Sequence, residues 1–244
     1  MNAADYLAWL RQSPVIDPAV LMRDRPLLVI SPHPDDESLG CGGLIGWAAA
    51  HRLSVTIVFL TDGERSHEGS REFPRETLAR LRRAEAIAAA ARLGVERHQL
   101  HFLGLPDGSM SHMDDDALEA IRFSLLGLVA GATPLICVTA RTDPHGDHQA
   151  AWLIATSLAR YCDAEALSFP VWTWSLDPHR WIATPARRAW RLPLHNAADK
   201  QAAIAAHCSQ LGKVVHDARS SFAIPAYLLD IACHDHEVLI DERL

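Results

Sequence analysis

Between Ser31 and Glu37 the chain reads Ser-Pro-His-Pro-Asp-Asp-Glu, which packs one imidazole and three carboxylates into five consecutive residues. Carboxylates crowded in this way repel one another unless something positive holds them, and a divalent metal is the simplest candidate. Far downstream, Arg141-Thr142-Asp143-Pro144-His145-Gly146-Asp147-His148 brings two more imidazoles and further acids. His33, Asp36 and His148 together make a set of two histidines and one carboxylate. Open catalytic zinc sites use that number of protein ligands and leave the fourth position to water or substrate. Iron(II) or another divalent metal suits the same ligand types.

Both segments sit where a strand should end and a helix begin. Pro26-Leu27-Leu28-Val29-Ile30 and Pro134 to Thr139 are apolar runs that read as short buried strands. Open parallel sheets bind ligands at that edge. Strand-like runs near 26–32, 54–61, 99–103 and 135–139 alternate with helical patterns near 39–51, 75–93, 114–130 and 147–162. The clearest helix runs from Thr77 to Leu93, with Leu78, Leu81, Ala84, Ala88 and Ala91 at helical spacing and Gly94 as its stop. Such alternation implies right-handed crossovers and an α/β fold, a Rossmann-like three-layer sandwich around a mostly parallel sheet. Beyond 163 the pattern changes. We expect a strand over 165–174, a Trp-rich loop or irregular hairpin near 172–194, a helix from Asn196 to about Leu211 and a loosely patterned tail over 221–241. With no repeat, low-complexity segment or linker, residues 1–244 read as one domain.

Composition narrows the function. A formal charge of -7 argues against nucleic acid as a partner and favours a small substrate. No apolar run approaches the roughly 20 residues needed to span a bilayer. The five cysteines, at 41, 137, 162, 208 and 233, show no CxxC spacing, so a disulfide framework is not expected. Met1-Asn2-Ala3-Ala4-Asp5 lacks the features of a signal peptide, which points to the cytoplasm. Nothing fixes an oligomeric state, and a homo-oligomer is allowed.

The His-Pro-Asp-Asp-Glu element at 33–37, with His-Gly-Asp-His at 145–148, closely resembles the zinc-dependent N-deacetylases of the LmbE/PIG-L type. Supporting segments are Phe59-Leu60-Thr61-Asp62-Gly63-Glu64, Arg82-Arg83-Ala84-Glu85, Leu103 to Gly108, and Lys200 with His207-Cys208-Ser209-Gln210. The resemblance covers residues 26 to 212 and implies removal of an N-acetyl group from an N-acetylglucosamine-containing substrate. It assigns Asp36 to the metal and Asp35 to general base; adjacency alone could not rank them. It makes His145 the group that stabilises the oxyanion or protonates the leaving amine, and it puts Arg82 at a positively charged position that could meet substrate hydroxyls. Asp147 is expected to orient one imidazole, and Asp107, in a Pro-Asp-Gly turn, to line the site.

Other features read as structural. Asp114-Asp115-Asp116 is a helix start with acids on the dipole, Glu37 is a helix-start acid, and Cys41 is a small buried residue. Gly40-Cys41-Gly42-Gly43 lacks the spacing of a nucleotide loop. His234, Asp235 and His236 read as a solvated tail. Trp172, Trp174, Trp181 and Trp190 fall in the Trp-rich stretch, where Trp172 and Trp174 would share a strand face. At least one of Trp174 and Trp181 is expected to line the pocket mouth. Two rival readings remain: an amidase of a larger thiol- or lipid-linked conjugate, and a carbohydrate- or metal-binding module without catalysis. Retention of Asp35 argues against the second, since a binding module has no need of a free carboxylate beside the metal.

Overall fold

The computed structural model describes residues 1–129, 131, 133–183 and 185–242. In chain order the first half forms α1 (Ala3–Arg11), α2 (Pro18–Met22), β1 (Leu27–Ser31), α3 (Asp36–Ala50), β2 (Val55–Thr61), β3 (His67–Glu68), α4 (Arg75–Arg92) and β4 (Leu100–Leu105). The second half forms α5 (Asp115–Leu126), β5 (Leu135–Thr139), α6 (Gly146–Tyr161), β6 (Glu165–Phe169), β7 (Arg188–Pro193), α7 (Ala197–Ala206), β8 (Ser220–Ser221), α8 (Ala226–Ala232) and β9 (His236–Asp241).

Strands β1 and β5 are buried along their whole length, as the unbroken apolar runs require of a sheet covered on both faces. Their side chains part by period two. Leu27 and Val29 join a core with Leu44, Ile45, Ala86, Ala89 and Ile204 from α3, α4 and α7, on one face. Leu28 and Ile30 join Ile121, Leu125, Ala151 and Ala155 from α5 and α6, on the other. The result is the expected three-layer α/β sandwich. Strand order in the main sheet is β4-β2-β1-β5-β6-β9-β7. Pairing is parallel from β4 through β6 and antiparallel at β9 and β7. The chain leaves β1 toward β2 and β4, then returns to build β5 on the opposite side. The crevice between β1 and β5 is therefore the topological switch point, where such sheets bind ligands.

Three expectations need correction. The strand from 165 ends at Phe169, and Trp172–Ser175 is a 3-10 turn, so Trp172 and Trp174 do not share a strand face. The Trp-rich stretch contains a sheet strand, β7, and the tail contains its antiparallel partner, β9. The late helix ends at Ala206, with a separate 3-10 turn over Cys208–Leu211. The expected helix near 114–130 spans Asp115–Leu126, capped by Asp114, whose side chain accepts the Ala117 N–H; residue 130 lies outside the described residues. No helix among the described residues is long and apolar enough to cross a membrane.

Candidate active site

Strand β1 ends at Ser31 and α3 begins at Asp36, so His33 and Asp35 fall in the tight connection between them. Asp35 adopts φ 138°, ψ −31°, a backbone region that side chains other than glycine rarely occupy. This twist sends the two neighbouring carboxylates in different directions. Asp36 Oδ2 accepts the His33 N–H at 3.1 Å and lies 3.1 Å from His33 Nδ1 and 3.3 Å from His148 Nε2. Asp35 Oδ2 instead meets Arg82 Nη2 at 3.2 Å.

The β5 edge supplies the other half. His145 is the N-cap of α6, and its Nδ1 accepts the Asp147 N–H at 3.2 Å. The ring proton is thereby left on Nε2. Burial and the neighbouring His33 and His148 hold this imidazole near 4, neutral at physiological pH. The imidazole nearest Asp147 is that of His33: Oδ2 lies 3.2 Å from His33 Nε2. The same carboxylate accepts Gly108 N–H at 2.7 Å and Met110 N–H at 3.0 Å, tying the turn after β4 to α6. Asp107 Oδ1 also lies 3.2 Å from His33 Nε2.

The orientation of His148 depends on a residue that sequence reasoning left without a role. Asp143, fully buried, takes His148 Nδ1 at 2.8 Å and also accepts the Thr173 N–H at 2.7 Å. A proton on Nδ1 leaves Nε2 as a lone pair. That atom is buried, has no hydrogen-bond partner, and faces a carboxylate oxygen. Two acceptors turned toward each other require a cation between them, either a proton or a metal. Burial opposes charging His148, yet Asp36 and Asp143 push it up to about 9. Neighbouring carboxylates likewise raise His33 against its burial, while the two histidines hold Asp36 below the usual carboxylate range despite burial.

The residues fit a divalent metal. Bonds of 2.0–2.1 Å in a tetrahedron put ligand atoms about 3.3 Å apart, close to the 3.1 and 3.3 Å separations around Asp36 Oδ2. Ring nitrogens of His33, His145 and His148 also lie within 4.8 Å of one another, as do ligand atoms of His33, Asp107 and Asp147. We favour the set containing Asp36, because its Oδ2 lies 3.1 Å from His33 Nδ1 and 3.3 Å from His148 Nε2, which is buried with no hydrogen-bond partner, whereas His145 Nδ1 already accepts a backbone N–H.

A cleft of about 480 Å³ opens over these groups, lined among others by His33, Asp35, Asp36, Arg65, His145, Trp172 and Gln210. Arg82 and Asp107 line it too. Arg82 is not a free arm for substrate: it is buried, with Nη1 donating to Gly63 O at 2.8 Å and Nη2 to Pro34 O at 2.6 Å. Gly63, at φ +63°, permits this approach, since a Cβ there would collide with the guanidinium. The more exposed cation of the cleft is Arg65, which no motif in the sequence marks. The expected tryptophans are not in the cleft. Trp174 lines a neighbouring cavity of about 230 Å³, and Trp181 is 71% exposed beside Asn2; Trp172 is the indole at the cleft.

A probable N-acetyl-α-D-glucosaminyl L-malate deacetylase from Bacillus subtilis is 37% identical over 102 residues, which cover 41% of this chain and 45% of the relative. The chain thus spans under half the length of that relative. Among solved structures, a deacetylase of an antimicrobial's pseudoaglycone aligns with TM-score 0.67 and 21% identity over 91% of this chain and 99% of its own. A 4-carboxy-2-hydroxymuconate hydratase from Pseudomonas putida shares the fold at TM-score 0.57 and 22% identity, covering 78% of this chain and 81% of its own. The fold alone therefore does not choose the reaction. The family described as PIG-L: GlcNAc-PI de-N-acetylase matches residues 28–159, more than half the sequence and both edges of the crevice, and the chain belongs to that family.

Proposed function

We propose that the protein is a metal-dependent hydrolase that removes an N-acyl group, N-acetyl in the first instance, from an amino sugar or amino-sugar conjugate. The observation that carries this reading is a pair of adjacent carboxylates with opposite surroundings. Asp36 Oδ2 faces His148 Nε2 at 3.3 Å, while Asp35 is turned away from it and held by Arg82. His33, Asp36 and His148 would hold the metal, with zinc the first candidate and iron(II) another. A divalent metal bound there supplies Lewis acidity, which polarises a carbonyl and makes water a usable nucleophile near neutral pH.

This chain's residues do the rest. Burial and the neighbouring Asp36 raise Asp35 to about 6 against the pull of Arg82, which suits a group that must be ionised at neutral pH yet accept a proton. Water adds to the acyl carbon as Asp35 takes its proton. The C–N bond then breaks, the nitrogen takes up that proton, and acetate and a free amine result. Neutral His145, with its proton on Nε2, is suited to donate a hydrogen bond to the developing oxyanion. The tautomer set by the Asp147 N–H favours that role over protonation of the leaving amine. Asp107, Arg65 and Trp172 line the cleft and would meet the sugar. The B. subtilis relative and the family description share N-acetylglucosamine as the named sugar, which supports the substrate class. Five unpaired cysteines fit a cytoplasmic setting.

The test is amine release from a panel of N-acetylglucosamine glycosides after chelation and reloading with zinc or iron(II). Activity that vanishes on chelation and returns with metal supports the reading. Metal-independent turnover, or none on any N-acyl amino sugar with metal bound, would overturn it.

A further inference from the structure

Glu37 does not behave as a solvated acid on a helix dipole. It is 1% exposed, and its Oε2 accepts the N–H of Asp35 at 3.0 Å, two residues back along the chain. That peptide leads into the φ 138° conformation of Asp35. Ser31 Oγ, which bonds His33 O at 2.8 Å, also lies 3.3 Å from the same oxygen. The second oxygen, Oε1, accepts Ser38 Oγ at 2.6 Å and lies 3.4 Å from His207 Nε2. His207 is equally buried and comes from the far end of α7, where the adjoining turn is anchored by Ser209 N and Oγ on Glu85 at 2.7 and 2.6 Å.

Backbone strain of this kind persists only where the surroundings over-determine it. Here Arg82 grips the carboxylate of Asp35 from one side, and Glu37 grips its N–H from the other. Glu37 in turn is backed by His207. We infer that Glu37 and His207 are positioning residues that hold Asp35 in its twisted conformation, so that its carboxylate points into the cleft instead of joining Asp36. Neither lies among the cleft-lining residues, so they act through Asp35 and not on substrate.

The inference rests on Asp35 being the base, and a double-mutant cycle separates the two claims. The cycle uses Asp35→Asn, His207→Leu and the double variant, assayed on an N-acetylglucosamine glycoside with metal content measured for each. We expect His207→Leu to lower kcat about 100-fold, with KM and metal content unchanged, as small misplacements of reacting groups do. His207→Gln, which keeps a donor near Nε2, should recover most of the loss. In the Asp35→Asn background His207→Leu should cost nothing more. Wild-type turnover in Asp35→Asn would remove the base assignment itself. A crippled Asp35→Asn with an undiminished further cost from His207→Leu would overturn the positioning role alone. A crystal structure of Glu37→Ala gives a readout apart from activity: φ of Asp35 should leave the positive region, and an unchanged value contradicts the inference. If His207→Leu does not fold, Glu37→Gln, which breaks the pair with His207, carries the same cycle.

Discussion

Helix α3 carries two buried charge clusters a few residues apart, built in opposite ways. The helix kinks at Cys41, at φ −141° and ψ 23°. Beyond the kink, Glu237 accepts the Gly43 and Leu44 N–H groups at 2.6 and 3.0 Å and pairs with Lys200 Nζ at 2.7 Å. Every charge there has its partner, and the cluster joins α3, α7 and β9. Before the kink, Asp35 and Asp36 are adjacent like charges, one on a strained backbone, and His148 Nε2 is buried without a hydrogen-bond partner. Buried polar groups are normally satisfied, so a satisfied cluster reads as scaffold and an unsatisfied one as a site prepared for something that arrives later.

That contrast can be broken by mutating each cluster. The largest loss of activity is expected before the kink. Asp36→Ala or His148→Ala should abolish metal retention and lower turnover by roughly 1,000-fold or more, the several kcal/mol a metal supplies, with elemental analysis as the check. Beyond the kink the loss should be in stability. Lys200→Met strands the buried carboxylate of Glu237 and should cost about 3–5 kcal/mol in denaturant unfolding, while Lys200→Met with Glu237→Gln recovers part of it. Metal content of the folded fraction should stay that of the wild type. Next in size is Asp35→Asn, with metal retained and turnover down roughly 100-fold. Asp143→Asn removes the acceptor that fixes the His148 tautomer and should weaken metal affinity by about 10–100-fold. The smallest effect is expected from Trp172→Ala, a few-fold rise in KM (about 1 kcal/mol) with kcat unchanged; Trp174→Ala should leave both unchanged.

The parallel half of the fold and the histidines and acids at the two crevice edges were legible because their signals are local. Apolar runs mark β1 and β5, and each is followed at once by its histidines and acids. What was missed is long-range. β7 reads Arg-Ala-Trp-Arg-Leu-Pro and pairs with β9 over forty residues later, and β9 carries the buried acids Glu237 and Asp241 that interrupt an apolar pattern. Trp172–Ser175 turns because Asp143, thirty residues earlier, captures Thr173. Arg82 reads as a cation that could meet substrate hydroxyls until Gly63 and Pro34 are seen to receive it. Glu37 looked like a helix-start acid because the peptide it holds precedes it and its partner His207 lies 170 positions on.

The most direct test is calorimetric titration of zinc into the metal-free protein from pH 7 to 8. His148, pushed up to about 9, is protonated in this range and must lose that proton before Nε2 can bind metal. Affinity should therefore rise with pH, by at least about tenfold per unit for one displaced proton. The expected result is one zinc per chain with that slope, and no binding by Asp36→Ala. Zinc binding that is independent of pH, or that survives in Asp36→Ala, would contradict a metal seated between Asp36 and His148.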